Sequence, residues 1–149
     1  MTQGEFSVTI QAPPEAVWQW VSQLEKHADW STKPYTVEWI SGTPNAVGSR
    51  YRSIGSIPTD EHHVNEGEIT QSVPNTRFAL RADDPEGPFL NAYTLTPAGA
   101  GSTTVTFAIA FPRMNPAPKN WVAAVLFATS GKSDIRKRMQ LLKEKVEAR

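Results

Sequence analysis

Three histidines, His27, His62 and His63, are the only side chains of this 149-residue sequence that ordinarily titrate near neutral pH, and there is no cysteine. They do not make a three-histidine metal site. His62 and His63 are neighbours in a strand-like stretch and so point to opposite faces, while His27 falls in a helical one. Proton transfer is the chemistry left to them. His63 shares a strand face with Asn65, and "FLNAYTL" at 89–95 puts Asn91 and Tyr93 on one face as well. His63 or Tyr93 moving a proton, with Asn65 or Asn91 orienting an oxygen, suits cyclisation, dehydration or isomerisation. The plainer alternative is a strand-end histidine satisfied by water, and an asparagine held by ordered water or another side chain.

Other chemistries are excluded or weak. Without cysteine there are no disulfides, thiolate zinc sites or cysteine nucleophiles. "SGKS" at 130–133 has the look of a phosphate-binding loop, but Leu126 stands where that pattern needs glycine and no strand precedes it. Nucleotide binding is rejected on that ground. Asp83, Asp84 and Glu86 cluster in "ADDPEGP", a Pro/Gly turn where acidic groups face water, so no metal and no cofactor is assigned. Fifteen basic and fifteen acidic residues cancel, and nothing steers the chain toward nucleic acid or an anionic membrane. Residues 132–149 carry seven basic side chains against three acidic, which reads as a solvated helix face.

The elements that must position these residues follow from periodicity and punctuation. "EFSVTIQ" alternates as a half-buried strand and ends at Pro13 and Pro14, which open a helix through "EAVWQWV". A second short helix runs through "LEKHADW". Period-2 patterning broken by Gly, Pro and Asn then predicts six strands near 35–42, 48–55, 62–72, 76–82, 88–96 and 103–112. Residues 119–147 read as a final helix with Ile135, Met139, Leu142 and Val146 on one face and Gly131 as a point of bending. One domain spans residues 1–149.

The charges supply a register test. Glu38, then Arg50 and Arg52, then Glu66 and Glu68, then Arg77 and Arg81 each keep one parity and alternate in sign from strand to strand. In an antiparallel meander they pair on the solvent face, so the opposite parity faces inward. That inward set holds Tyr35, Trp39, Tyr51, His63, Asn65, Phe78, Asn91, Tyr93 and Phe107, aromatic-rich with a few polar tips. Such a lining fits a ligand cavity better than a solid aliphatic core. It contains no carboxylate and no arginine, which weighs against catalysis. From the final helix, Val125 joins this set as a ligand-binding candidate, although Trp121, Val125 and Phe127 also fit plain packing of that helix on the sheet.

The order strand, two short helices, six-strand meander, long helix, together with "APPEAVWQWVSQLEKHADWS", "VEWISGTPNAVGSRYR" and "YTLTPAGAGSTTVTFAIAFP", resembles the START-related helix-grip superfamily, in particular its polyketide cyclase/dehydrase and lipid transport branch. The resemblance implies an α+β helix-grip fold: a curved seven-stranded antiparallel sheet around a long C-terminal helix, two short helices between strands 1 and 2, and an apolar cavity between sheet and helix. It also places Trp18 in the core, Trp20 at its edge and Trp30 as a plug of the helix-to-strand junction. The leading function is binding of a small hydrophobic or amphipathic molecule, such as a lipid, polyketide-like or isoprenoid compound. A cyclase/dehydratase-type enzyme using His63 and Tyr93 is the first alternative, and a protein-interaction module of co-chaperone type the second. "MTQGEFSVTI" lacks the pattern of a signal peptide, and the longest apolar run, "WVAAVLFA", is far shorter than the ~20 residues of a membrane span, so a cytoplasmic protein without stable membrane insertion is expected.

Overall fold

The computed structural model of the chain describes residues 2–57, 60–84, 87–111 and 132–148. β1 (Thr2–Ile10) is followed by helix α1 (Pro14–Val21) and a 3₁₀ helix (Leu24–Trp30). Then come β2 (Tyr35–Ser41), β3 (Arg50–Ile57), β4 (Asp60–Val73), β5 (Arg77–Asp84), β6 (Gly87–Pro97), β7 (Thr103–Phe111) and helix α2 (Lys132–Glu147). This is the architecture the resemblance implied. The sheet order is β1-β7-β6-β5-β4-β3-β2, antiparallel throughout, so the helix pair carries the chain from one sheet edge to the other. Register shifts at Trp39/Ser41, Gly55/Ile57 and Ile69/Gln71 bend the strands locally. The expected helix over 119–131 and its bend at Gly131 lie outside the described residues.

The charge parity sets the sheet's orientation as expected across β2, β3 and β4, while Arg77 and Arg81 on β5 bond to Gln71, Thr94 and Asp83 instead of to Glu66 or Glu68. Glu38, Arg52 and Glu66 stand opposite one another across three strands, with Arg52 3.9 Å from Glu38 and 3.2 Å from Glu66. In the next row Arg50 reaches Glu68 at 3.5 Å and Asp83 at 3.6 Å. These pairs are well exposed, so each contributes roughly 0.2–1 kcal/mol; they fix which face is wet more than they stabilise it. The other parity buries Tyr51, Ile69, Phe78, Leu80, Tyr93, Leu95, Val105 and Phe107. Against that face lies α2 with Ile135, Met139, Leu142 and Val146 all buried, at the i, i+4, i+7, i+11 spacing of one helix stripe.

The short helices close one end of the core. Two prolines suit the start of α1, whose first N–H groups have no intrahelical partner. Trp18 is buried edge-on to Phe78, while Trp20 sits at the edge under the Lys26 ammonium, 5.6 Å away. Trp30 is fully buried and plugs the junction into β2. Asn45, in the loop between β2 and β3 with φ of 68°, accepts a hydrogen bond from the Leu24 amide at 2.7 Å and fixes the start of the 3₁₀ helix. Among the described residues no helix is long and apolar enough to cross a membrane.

Candidate ligand-binding cavity

Between the inner face of the sheet, the 3₁₀ helix and α2 the structure leaves a cavity of about 250 Å³. Its apolar wall includes Leu80, Ala82, Phe89, Phe107 and Ile109, and its polar groups from the strands include Tyr35, Tyr51, Ser53, Asn65, Asn91 and Tyr93. The exposed Lys33 and Pro34 stand at its outer edge. The alternation of β3 to β7 brings these side chains together, since every second residue of each strand faces the same space.

Of the residues expected to bind a ligand, Tyr35, Tyr51, Asn65, Asn91, Tyr93 and Phe107 line this cavity. Trp39, Phe78 and His63 are not among the lining residues. Trp39 packs edge-on to Tyr51, and Phe78 is fully buried beneath the helix pair against Trp18 and His27. Val125 lies outside the described residues. His63 does keep the inward parity, but its Nε2 is hydrogen-bonded to the Asp84 carboxylate near the end of β5. Asp84 thereby departs from the expectation that the acidic cluster of "ADDPEGP" faces water: the strand runs on to Asp84, and the same parity that turns Ala82 inward turns Asp84 inward. Its neighbour Asp83 does face solvent, paired with Arg50 and Arg81.

The expectation of no inward arginine or carboxylate is also corrected at the cavity, because α2 supplies both. Arg138 donates from Nη2 to the Tyr93 hydroxyl at 3.4 Å, and its guanidinium lies 5.2 Å from the centre of the Trp30 ring. One turn earlier, Asp134 accepts a hydrogen bond from the Thr32 hydroxyl and ties the cavity rim to the helix. Both residues line the cavity. The basic tail is therefore not solvated throughout, and its composition hid this. The signal was positional: Arg138 falls three residues after Ile135 and four before Leu142, on the flank of the apolar stripe.

The electrostatics of the site keep its histidine and phenols uncharged. His27 is buried with its pKa lowered to about 3, mainly by loss of hydration, with the Arg138 charge adding to the effect and the Val21 carbonyl opposing it. Its Nε2 meets that carbonyl at 2.8 Å, which only accepts, so Nε2 carries the proton and Nδ1 the lone pair. Burial pushes the Tyr35 hydroxyl up to about 12 and raises those of Tyr51 and Tyr93 as well. At neutral pH these phenols are uncharged hydrogen-bonding groups. The Oδ1 atoms of Asn65 and Asn91 and the Nε of Arg138 are closed off from solvent and have no hydrogen-bond partner among the described residues. An orphaned buried polar atom costs about 1–3 kcal/mol, and the Nε1 of Trp30 is a fourth such atom among the described residues.

The family described as polyketide cyclase / dehydrase and lipid transport matches residues 1–147. Among solved structures, the chain is similar to the Zhui aromatase/cyclase from Streptomyces sp. R1128, at 15% identity over 98% of this chain and 93% of that one, with a TM-score of 0.81. The TTHA0849 protein from Thermus thermophilus is 15% identical over 99% and 98%, with a TM-score of 0.76. The di-domain ARO/CYC BexL of the BE-7585A biosynthetic pathway is 18% identical over 99% of this chain and 47% of that one, with a TM-score of 0.71. At such identities the likeness is one of fold. No curated protein matches the chain.

Proposed function

Since the chain belongs to the polyketide cyclase / dehydrase and lipid transport family, we propose that its cavity binds one small amphipathic molecule. The observation that carries this reading is the cavity on the inner face of the sheet, with Leu80, Ala82, Phe89, Phe107 and Ile109 on its apolar wall and Tyr35, Tyr51, Asn65, Asn91 and Tyr93 among its polar groups. Apolar walls hold the guest, and sparse polar groups orient it. At about 250 Å³ the space lies just below the roughly 300–1,000 Å³ usual for ligand pockets, which favours a compact ring system over a long acyl chain.

The second reading is a cyclase/dehydratase acting on such a molecule, and two observations favour it. The aromatase/cyclase from Streptomyces shares the fold, and His63 with Asp84 forms a histidine–carboxylate pair on the inner face, two residues from Asn65. Against it stands the lining itself, whose histidine and phenols have pKa values driven away from neutrality. The interaction-module reading would use the surface rather than the cavity, and a cavity in place of a filled interior gives it no support.

Native mass spectrometry of the purified protein, followed by denaturing extraction, tests the binding reading directly. A co-purifying compound of defined mass, or uptake of a fluorescent apolar probe with quenching of Trp30, is the expected result; an empty protein that takes up no probe overturns it. Turnover of an extracted compound by the wild type, lost in His63→Gln with binding intact, is the result that establishes the second reading.

A further inference from the structure

The charge of the cavity is as informative as its shape. Its lining contains two cationic side chains, Arg138 and Lys33, and one carboxylate, Asp134. Asp134 is engaged by Thr32. The partners of the Arg138 guanidinium, the Tyr93 hydroxyl and the Trp30 ring, are both uncharged, and its Nε is buried without an acceptor among the described residues. The groups that face Arg138 from the neighbouring elements, His27 from the 3₁₀ helix and Tyr93 from β6, are neutral. Asp134, one turn earlier on α2, keeps its charge but makes no ion pair with Arg138 among the described residues, and a half-buried guanidinium is normally matched by an anion in direct contact.

Building on the reading of the cavity as a ligand site, we infer that the ligand is an organic acid bound as its anion. A carboxylate sits against Arg138 and the Tyr93 hydroxyl, with the apolar body along Phe107, Leu80 and Ala82. The geometry supports a carboxylate in particular. The Arg138 guanidinium lines the cavity and its Nη2 has only a 3.4 Å contact, to the Tyr93 hydroxyl, so two neighbouring donors stand side by side where two carboxylate oxygens would be met. The amides of Asn65 and Asn91, on β4 and β6, are left to orient a hydroxyl or carbonyl elsewhere on the molecule. The cation–π contact with Trp30 restrains the guanidinium before the ligand arrives, so less side-chain order is lost on binding.

The test uses a matched pair of probes, 2-naphthoate and the neutral 2-naphthamide, titrated into the full chain at pH 7 and followed by calorimetry. The wild type should bind the acid at least about tenfold more tightly than the amide, a difference of about 1.4 kcal/mol. Arg138→Met should abolish the preference by weakening the acid while leaving the amide within about threefold, since a hydrophobic replacement keeps the contact with Trp30. Arg138→Lys should retain part of the preference through its charge alone. Equal affinity of acid and amide for the wild type overturns the inference while leaving the cavity as a ligand site, and needs no variant to fold. Failure of both probes, and of neutral naphthalene, to bind overturns the cavity reading itself and this inference with it.

Discussion

The ring of Tyr51 lies across Gly67, its partner on the next strand: a Cβ at residue 67 would stand 2.5 Å from the tyrosine Cζ and 2.7 Å from the carbonyl oxygen of Arg81. Glycine is needed here for space rather than for an unusual backbone angle, because its bare surface lets the aromatic ring cover the strand on its way to the cavity. Gly67→Ala should therefore destabilise the protein by about 1–3 kcal/mol through overpacking, read from urea denaturation midpoints. Adding Tyr51→Ala should relieve only part of the strain, since the Arg81 carbonyl remains in place. Strictly additive losses in the double variant would show that ring and glycine are independent.

His27 gives the protein a pH-dependent stability of predictable sign. Its pKa falls from 6.5 in the unfolded chain to about 3 in the folded one, so between those values only the unfolded chain takes up the proton. The stabilisation is complete above about pH 6.5 and is lost as the pH falls toward 3, at up to about 1.4 kcal/mol per unit. Urea midpoints at pH 7, 5.5 and 4.5 should fall more steeply in the wild type than in His27→Gln. Parallel profiles for the two proteins would remove His27 from this linkage.

Asn65 and Asn91 should show the conflict between stability and binding that marks a ligand site. Replacing either by leucine removes a buried oxygen that has no partner among the described residues and adds apolar surface, so the empty protein should be unchanged or stabilised by up to about 1–2 kcal/mol. Affinity for whatever compound is extracted from the protein should drop at least about tenfold in the same variants. Thermal unfolding with and without ligand reads both effects. A large loss of stability in the empty leucine variants would assign the asparagines to the fold.

The Thr32–Asp134 hydrogen bond joins the segment after the 3₁₀ helix to the first turn of α2. Thr32→Val and Asp134→Asn should each cost about 1 kcal/mol, and the double variant little more than the worse single one, because both remove the same contact. Ligand release should quicken in all three, measured by stopped-flow displacement with a fluorescent probe. An unchanged release rate would place the rim's opening elsewhere.

How much of this could be read beforehand depended on whether neighbouring residues agreed. The sheet's register was legible because Glu38, Arg50, Arg52, Glu66 and Glu68 kept one parity, and the folded chain pairs them in that order. The tryptophans were legible too: Trp18 and Trp20, 200° apart on a helix, separate into core and edge. Asp84 was hidden because Pro85 and Gly87 signal a turn in the sequence, whereas β5 extends to Asp84. Arg138 was hidden among other basic residues, and helix pitch alone, not charge, separates it from Arg136 and Lys137, which are exposed. His63 was placed on the correct face yet not at the cavity, since face is set by parity but distance along the strand is not.

The sheet and the final helix divide the labour unequally. Every strand residue that lines the cavity is neutral, and both ionic groups that line it from regular secondary structure, Asp134 and Arg138, stand one turn apart on α2. A protein built this way can change the charge of its guest by rewriting a single helical turn, leaving seven strands of register and packing untouched. The helix is in that sense an interchangeable reading head on a fixed reel, and exchanging residues 134–138 between relatives is the shortest route to altered selectivity.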